Sequence, residues 1–362
     1  MKDKTRLGDF VKIQGGYAFQ SALFRKRGIP IIRISNIDGS TIELKNSAVY
    51  YDETKAISDD FIAKKDDLLI AMSGATTGKC GVYPYQKCAY VNQRVGKFIL
   101  YKKDKVLYKY ITYWTQSNNF ERQLSKFLAA GAQPNVSPKN IEDMELFLPN
   151  MTKQQNAVAV LDAISANITY LQHLISKQEN IKKSTEKMLL TPKPGWKEVK
   201  IQDCLDYEQP TDYIVHTDIN ASSGTTPVLT ANKAFVLGYT DETNNIYNKG
   251  DTIIYDDFTM DMKYVTFPFK VKSSAMKILT PKGENNLYFM FALLKSFGLT
   301  QQEHARSYIS KLEPMKILIP DPATQETIAE NLYTIDSYLE NLKYQLDKIK
   351  KLKQGLMSYF FG

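Results

Sequence analysis

The sequence predicts an α+β protein: two globular domains separated by two long helices that form an antiparallel coiled coil, the whole arranged as a pseudo-twofold internal repeat. Three observations predict it. A shift of 171 positions lays Ile141-Glu142-Asp143-Met144-Glu145-Leu146-Phe147-Leu148-Pro149 on Leu312-Glu313-Pro314-Met315-Lys316-Ile317-Leu318-Ile319-Pro320, and the register then runs without a gap to the chain end. Gln154 falls on Gln325, Leu161 on Leu332, Ile164 on Ile335, Leu171 on Leu342 and Lys182 on Lys353. Apolar residues after each proline recur at alternating spacings of three and four, the heptad rule. Before each proline, the sequence breaks into short apolar runs bounded by turn residues, which read as strands.

The first domain spans 1–150. It opens on Arg6-Leu7-Gly8-Asp9-Phe10-Val11, places strands at 30–34 and 67–71 and a helix over 108–127, and closes on the buried run before Pro149. Residues 151–191 form the first long helix and its linker. Thr152 is the expected N-cap, and the seam is Leu161, Ile164, Ile168, Leu171 and Ile175, with Gln178 as a polar break. The turn-rich stretch Thr191-Pro192-Lys193-Pro194-Gly195 ends it.

The second domain, 192–320, opens on Val199-Lys200-Ile201-Gln202-Asp203-Cys204-Leu205, a loose copy of the first start. Thr226-Pro227-Val228-Leu229 similarly matches Ile29-Pro30-Ile31-Ile32. Strands are expected at 252–255 and 275–279 and a helix at 287–295. Residues 321–362 form the second long helix, with Thr324 as expected cap and Leu332, Ile335, Leu339, Leu342, Leu346 and Ile349 as seam. Gly355 weakens its end. Each helix is expected to run about 35–38 residues, or about 55 Å. Two matched stripes in one chain point to pairing with each other; the alternatives are packing on the parent domain or on another protein.

Composition fits a folded protein, with 43% hydrophobic and 24% charged residues in 362. No apolar run is expected to approach the ~20 residues of a membrane span, and the start of the chain lacks the apolar core of a secretory signal. Cys80, Cys88 and Cys204 are too few and scattered for a disulfide framework or, with His173, His216 and His304 far apart, for a zinc site. Free thiols in a cytoplasmic protein are the expectation. The net charge of +8 and pI near 9.0 suit a binder of polyanions.

Catalytic patterns are missing. Ser73-Gly74-Ala75-Thr76-Thr77-Gly78-Lys79-Cys80 resembles a phosphate loop but has three residues between its glycines rather than four, and Cys80 stands where Ser or Thr is needed. Neither a nucleophile elbow nor a zincin helix occurs. Asp256, Asp257 and Asp261 with Lys263 leave three readings: a solvated loop, a base- or partner-contacting loop, or a metal-nuclease remnant without a visible third ligand.

Several stretches resemble the specificity (S) subunits of type I restriction–modification systems. They are Leu7-Gly8-Asp9, Ser73 to Lys79, Ala89-Tyr90-Val91-Asn92-Gln93-Arg94-Val95, and Gly131-Ala132-Gln133-Pro134-Asn135-Val136-Ser137 before the strand and Pro149. The order domain, helix, domain, helix is also similar to that family. The second domain departs: Ile253-Ile254-Tyr255-Asp256-Asp257-Phe258-Thr259, Lys270-Val271-Lys272-Ser273-Ser274-Ala275 and Ala305-Arg306-Ser307-Tyr308 replace the motifs of the first. The resemblance implies two target-recognition domains, each reading half of an asymmetric bipartite site in double-stranded DNA. It implies paired helices that act as spacer and dock two methyltransferase (M) subunits, with restriction/translocase (R) subunits joining for cleavage. The chain would carry no cofactor; S-adenosylmethionine would sit on the M subunits. The alternative is a non-catalytic helical scaffold or adaptor binding proteins; a fused endonuclease ranks last, its motifs being absent.

Candidate reading residues follow from loop chemistry. In the first domain they are Arg33, Ser35 and Asn36 after a strand; Ser73, Thr76, Thr77 and Lys79 in a glycine-flanked loop; and Asn92, Gln93 and Arg94, whose amides suit adenine and whose guanidinium suits guanine. Asn92 and Gln93 have the alternative of bonding backbone inside the fold. In the second domain they are Thr230, Asn232, Lys233, Thr259, Lys263, Lys272 and Ser273, the lysines favouring phosphates.

Overall fold

A computed structural model describes residues 4–44, 48–52, 54, 57–128, 134–221, 223–230, 235–299 and 307–362. The chain divides into two compact units, one of residues 1–171 with 346–362 and one of residues 172–345. Each unit therefore takes one globular part together with half of each long helix.

In the first unit, β1 (Lys4–Arg6) pairs with β10 (Glu145–Phe147) at the helix lead-in. An antiparallel sheet runs in the order β2 (Val11–Gly15), β9 (Val95–Leu100), β6 (Leu68–Ala71), β7 (Cys80–Val82). A second sheet runs β4 (Val49–Tyr51), β3 (Ile29–Ile32), β8 (Ala89–Val91), β5 (Ile62–Ala63), with β3 and β8 parallel. Strand β6 shows why such an apolar run forms: side chains alternate across a sheet, and both faces are covered. Leu68 and Ile70 enter the core shared with the helices, whereas Leu69 and Ala71 enter the core shared with β3 and β8.

The helix expected over 108–127 is two helices, α1 (Tyr108–Trp114) and α2 (Asn118–Leu128). Local hydroxyls break it. Thr115 Oγ1 donates to Thr112 O at 2.8 Å, Ser117 Oγ donates to Trp114 O at 2.7 Å, and the Ser117 hydroxyl accepts from Phe120 N at 3.3 Å as the cap of α2. The short α3 (Pro138–Glu142) precedes β10, and α4 (Met151–Leu190) follows it.

The second unit repeats the plan. Its lead-in pair is β11 (Lys197–Lys200) with β19 (Lys316–Ile319). Its antiparallel sheet runs β12 (Leu205–Glu208), β18 (Met276–Pro281), β15 (Thr252–Asp256), β16 (Met262–Val265). Its second sheet runs β14 (Val236–Thr240), β13 (Thr226–Leu229), β17 (Lys270–Val271), with β13 and β17 parallel. Helix α5 (Leu287–Ser296) and the long α6 (Pro322–Phe361) complete it. In β15, Ile253 and Tyr255 face the helical core and Ile254 faces the β13–β17 core, as in β6. Among the described residues, the strand order thus repeats where the sequence does not, except that β5 has no counterpart.

The long helices each have 40 residues, about 60 Å, and Gly355 does not stop α6. Their caps are not Thr152 and Thr324. Asn150 Oδ1 accepts from Lys153 N and Asp321 Oδ1 accepts from Thr324 N, both at 3.0 Å. These caps sit at equivalent positions of the repeat, as the threonines do not. Thr324 instead donates its hydroxyl to Asp321 at 2.8 Å.

The seam residues Leu161, Leu171, Ile175, Leu332, Leu339 and Leu342 are buried, and Ile164, Ile168, Ile335, Leu346 and Ile349 are half-buried. Within the second unit, Lys182 bonds Asp336 and Glu179 meets Lys343 at 2.8 Å, so the helices run antiparallel. Within the first, Ala157 and Leu161 share a core with Met357 and Phe361, again antiparallel. One 18-residue window of α4 has a mean hydropathy of 1.2, enough by length and composition to cross a membrane. Of the apolar side chains of α4, Leu161, Leu171 and Ile175 on the heptad seam are buried, whereas Val160 and Tyr170 are exposed.

A buried glutamine fastens each helix start to its unit. Gln154 accepts from Leu107 N at 2.9 Å and donates to Pro149 O at 2.7 Å; Gln325 accepts from Asn286 N at 3.0 Å and donates to Pro320 O at 3.1 Å. Both are essentially inaccessible, at 0% and 1% exposure, so neither amide has water as a substitute partner.

Candidate nucleic-acid interface

In the first unit, three candidate segments meet where β3, β6 and β8 end. Asn92 N donates to Ile32 O at 3.0 Å, Met72 N to Arg94 O at 2.8 Å, and the Thr76 hydroxyl to Ile34 O at 2.9 Å. Residues 33–36, 73–79 and 92–94 therefore form one edge. Many of its polar groups are spent on holding that edge. Buried Asn36 accepts from Arg33 N and donates to Glu43 O, both at 2.9 Å. Thr77 donates to Gly74 O and Pro134 O, and Asn92 Oδ1 accepts from Arg94 N at 3.3 Å. Ser73 Oγ is buried without a hydrogen-bond partner among the described residues. Ser35, Lys79, Gln93 and Arg94 remain exposed, and Arg33 is half-buried.

Glycine makes this edge possible. A Cβ on Gly78 would stand 1.9 Å from Leu124 Cδ2, and its φ of +84° is left-handed, so the loop lies flush on α2 only with glycine there.

The second unit brings the ends of β13, β15 and β17 together in the same way. Lys272 N donates to Leu229 O at 3.1 Å and Asp257 N to Ala275 O at 2.9 Å. Thr230, Thr259, Lys272 and Ser273 thus share one edge. Thr230 is half-buried and the other three are exposed. Lys263 lies in β16, half-buried and beyond the turn. Asn232 and Lys233 lie outside the described residues.

Two of the three aspartates, Asp256 and Asp257, serve the fold, and Asp261 is exposed. Asp256 Oδ1 accepts from Phe258 N and Thr259 N, both at 2.9 Å, closing the turn. Asp257 is buried, 3.3 Å from the Lys277 ammonium, and accepts from Ser307 N at 3.0 Å and Tyr308 N at 2.8 Å. A carboxylate so engaged is committed to charge and backbone partners. Among the described residues, no group of three or more His, Cys, Asp or Glu is arranged to hold a metal. A second pair, buried Lys270 with half-buried Glu242 at 2.7 Å, anchors β17 just before Lys272. The Lys270 ammonium, helped by the Thr217 and His216 amides, holds the Glu242 carboxyl down at about 2.

The profile of the type I restriction modification DNA specificity domain matches residues 2–180 and again 193–351. The chain belongs to that family. It is 40% identical over 148 residues to a type I restriction enzyme specificity subunit of Escherichia coli, covering 39% of this chain and 36% of the relative. To one from Methanocaldococcus jannaschii it is 25% identical over 193 residues, covering 52% of this chain and 45% of the relative. These matches span less than half the length of either relative. The fold is that of the crystal structure of a type I restriction–modification S subunit from M. genitalium: TM-score 0.72 at 14% identity, over 99% of this chain and 96% of that one.

For a specificity-family edge, the candidate set drawn from sequence omitted the aromatics. Tyr17 N donates to Val91 O at 2.7 Å, and its carbonyl accepts from Gln93 N at 2.9 Å. The ring is 39% exposed and packs on Phe61 with centroids 5.5 Å apart. Gly16 permits this, because a Cβ there would lie 2.3 Å from the Val91 and Asn92 carbonyl oxygens. The Gly15-Gly16-Tyr17 run after a strand was the available signal. In the second unit, Phe258 is 40% exposed in the turn after β15.

Proposed function

We propose that each unit reads one half of an asymmetric, bipartite DNA site in the cytoplasm, without catalysis of its own. One observation carries this reading: both units gather the ends of three equivalent strands into one edge, and those edges present different side chains. A repeated scaffold with unlike loops suits two unlike half-sites. The first edge offers Gln93 and Arg94, groups that pair bidentately with adenine and guanine; the second offers Thr259, Lys272 and Ser273. On the same reading the paired helices set the spacing of the half-sites and dock two M subunits. Those subunits bring S-adenosylmethionine and methylate adenine, and R subunits join for cleavage.

The test is a ruler experiment. One heptad inserted at equivalent positions of α4 and α6 adds about 10 Å of helix, or about three base pairs. Methylome sequencing of cells carrying the variant with its M subunit should show both half-sites unchanged and the gap between them longer. An unchanged gap would sink the ruler. Absence of any sequence-dependent binding by the wild-type complex, with salt-insensitive attachment to proteins instead, would favour an adaptor.

A further inference from the structure

The repeat exposes a charge in the first unit that its counterpart lacks. Lys182 of α4 and Lys353 of α6 occupy equivalent positions. In the second unit, Lys182 is neutralised by Asp336 and by Glu186 at 3.5 Å. The positions equivalent to those carboxylates in the first unit carry Ser165 and Met357. Lys353 is half-buried over the Tyr113 ring, 5.7 Å from its centroid, with no carboxylate at ion-pairing distance among the described residues. Burial alone pulls its pKa below the usual lysine value. Asp162 on the facing helix is taken by Lys109 at 2.7 Å and by the Tyr113 hydroxyl at 2.6 Å. An ammonium partly stripped of water and given no internal anion is unfavourable unless a ligand supplies one.

Lys353 lines a groove of about 830 Å³ with Lys350, Lys351, Gln354, Gln116 and Asn118. Lys351 is paired with Asp347 at 2.7 Å. Asn118 and Ser358 also line a neighbouring cavity with Arg122, and Gln116 also lines one with Thr77 and Lys79 of the candidate reading loop, where Glu121 is the acidic group. Cations alternating with amides and hydroxyls are the groups that contact phosphate oxygens.

We propose that this groove is a phosphate track: the sugar–phosphate backbone of DNA leaving the loop at Thr77–Lys79 crosses the α1–α2 turn and is held, without regard to sequence, by Lys350 and Lys353. The proposal rests on the first unit being a DNA reader. Gln116, shared between this groove and the cavity at that loop, favours nucleic acid over an acidic protein.

The experiment uses the full chain with its M subunits and measures DNA affinity against salt. In Lys350→Gln/Lys353→Met, which keeps the apolar stem of Lys353, affinity for cognate and unrelated duplex should fall equally, on the order of tenfold. The log–log salt slope should flatten by about 0.9 per lost contact, and the methylated sequence should not change. Lys353→Arg should restore affinity. Ser165→Asp transplants the second unit's carboxylate; it should raise the Tm and still weaken DNA binding, an opposition that a merely structural lysine would not produce. An unchanged slope in the first variant, with cognate binding intact, overturns the track while leaving DNA reading in place. Loss of M-subunit co-purification with an unchanged slope overturns it in favour of a protein-docking surface. A wild-type complex without sequence preference removes the underlying reading itself.

Discussion

The two units share one strand order and hold their edges by different means. The first uses neutral contacts: glycine close approaches at Gly16 and Gly78, and hydroxyls of Thr76 and Thr77 on backbone carbonyls. The second uses ion pairs, Lys277 with Asp257, both buried, and buried Lys270 with half-buried Glu242. Their helical halves reverse the contrast, since Lys182 is neutralised in the second unit and its equivalent Lys353 is not in the first. A repeated fold therefore fixes where strands and helices go, but not where charge is buried. Unlike edges on a common scaffold are what two different targets require.

Breaking the buried pair in the second unit should have the largest effect. Asp257→Asn should cost about 3–5 kcal/mol by leaving Lys277 unpaired in the interior. It should lower the melting transition of the second unit and abolish its half-site, with the first half-site still read. Asp257→Asn with Lys277→Met should recover part of the loss; a double variant no better than the single would mean that the charge pairing is not what matters.

Phe361 and Leu190 are equivalent residues that close opposite units: Phe361 lies in the first core and Leu190 in the second. Truncation of either to alanine should cost about 2–5 kcal/mol. Domain-resolved hydrogen exchange should place the damage of Phe361→Ala in residues 1–171, far in sequence from the substitution. Damage confined to the last helix would contradict the packing.

Gln154→Ala and Gln325→Ala should each cost about 1–3 kcal/mol, because each strands a buried amide and a proline carbonyl. Near-equal losses in urea unfolding would confirm that the repeat is energetic as well as geometric. A loss in only one unit would show that the equivalence is formal.

Acid should separate the units. The Glu242 carboxyl is depressed in the folded state, so its stabilising contribution is full above about 4.5, its ordinary value, and is lost as pH falls through about 2. Between those values the second unit should lose protection before the first, and Glu242→Gln should erase the difference. The smallest effect on stability belongs to exposed Arg94: Arg94→Ala should leave the unfolding free energy within about 0.5 kcal/mol of unchanged. Discrimination at one base of the first half-site should fall by about 1–3 kcal/mol, with the second half-site untouched. A uniform affinity loss would make Arg94 a phosphate contact only.

Much of the plan was legible from sequence because it rests on local periodicity. The heptad spacing of Leu161 to Ile175 and Leu332 to Ile349 specifies helices whatever surrounds them, and the 171-residue register gives the repeat. The runs 68–71 and 252–256 are strands because every residue is apolar or covered. Other local readings failed: the cap expected at Thr152 is Asn150, and the single helix expected over 108–127 is two. Hydrogen bonds from backbone amides to side-chain oxygens decided both.

Tertiary structure alone decided the rest. It paired β3 with β8 and β13 with β17, carried Tyr17 to Gln93, buried Asp257 on Lys277 and left Lys353 facing a groove without a carboxylate. The physical reason is range. Whether a chain coils or extends depends on neighbours a few residues away, whereas whether a charge is neutralised can depend on residues far along the chain, as for Asp257 with Lys277 and Lys182 with Asp336, that only the packed fold brings within about 4 Å.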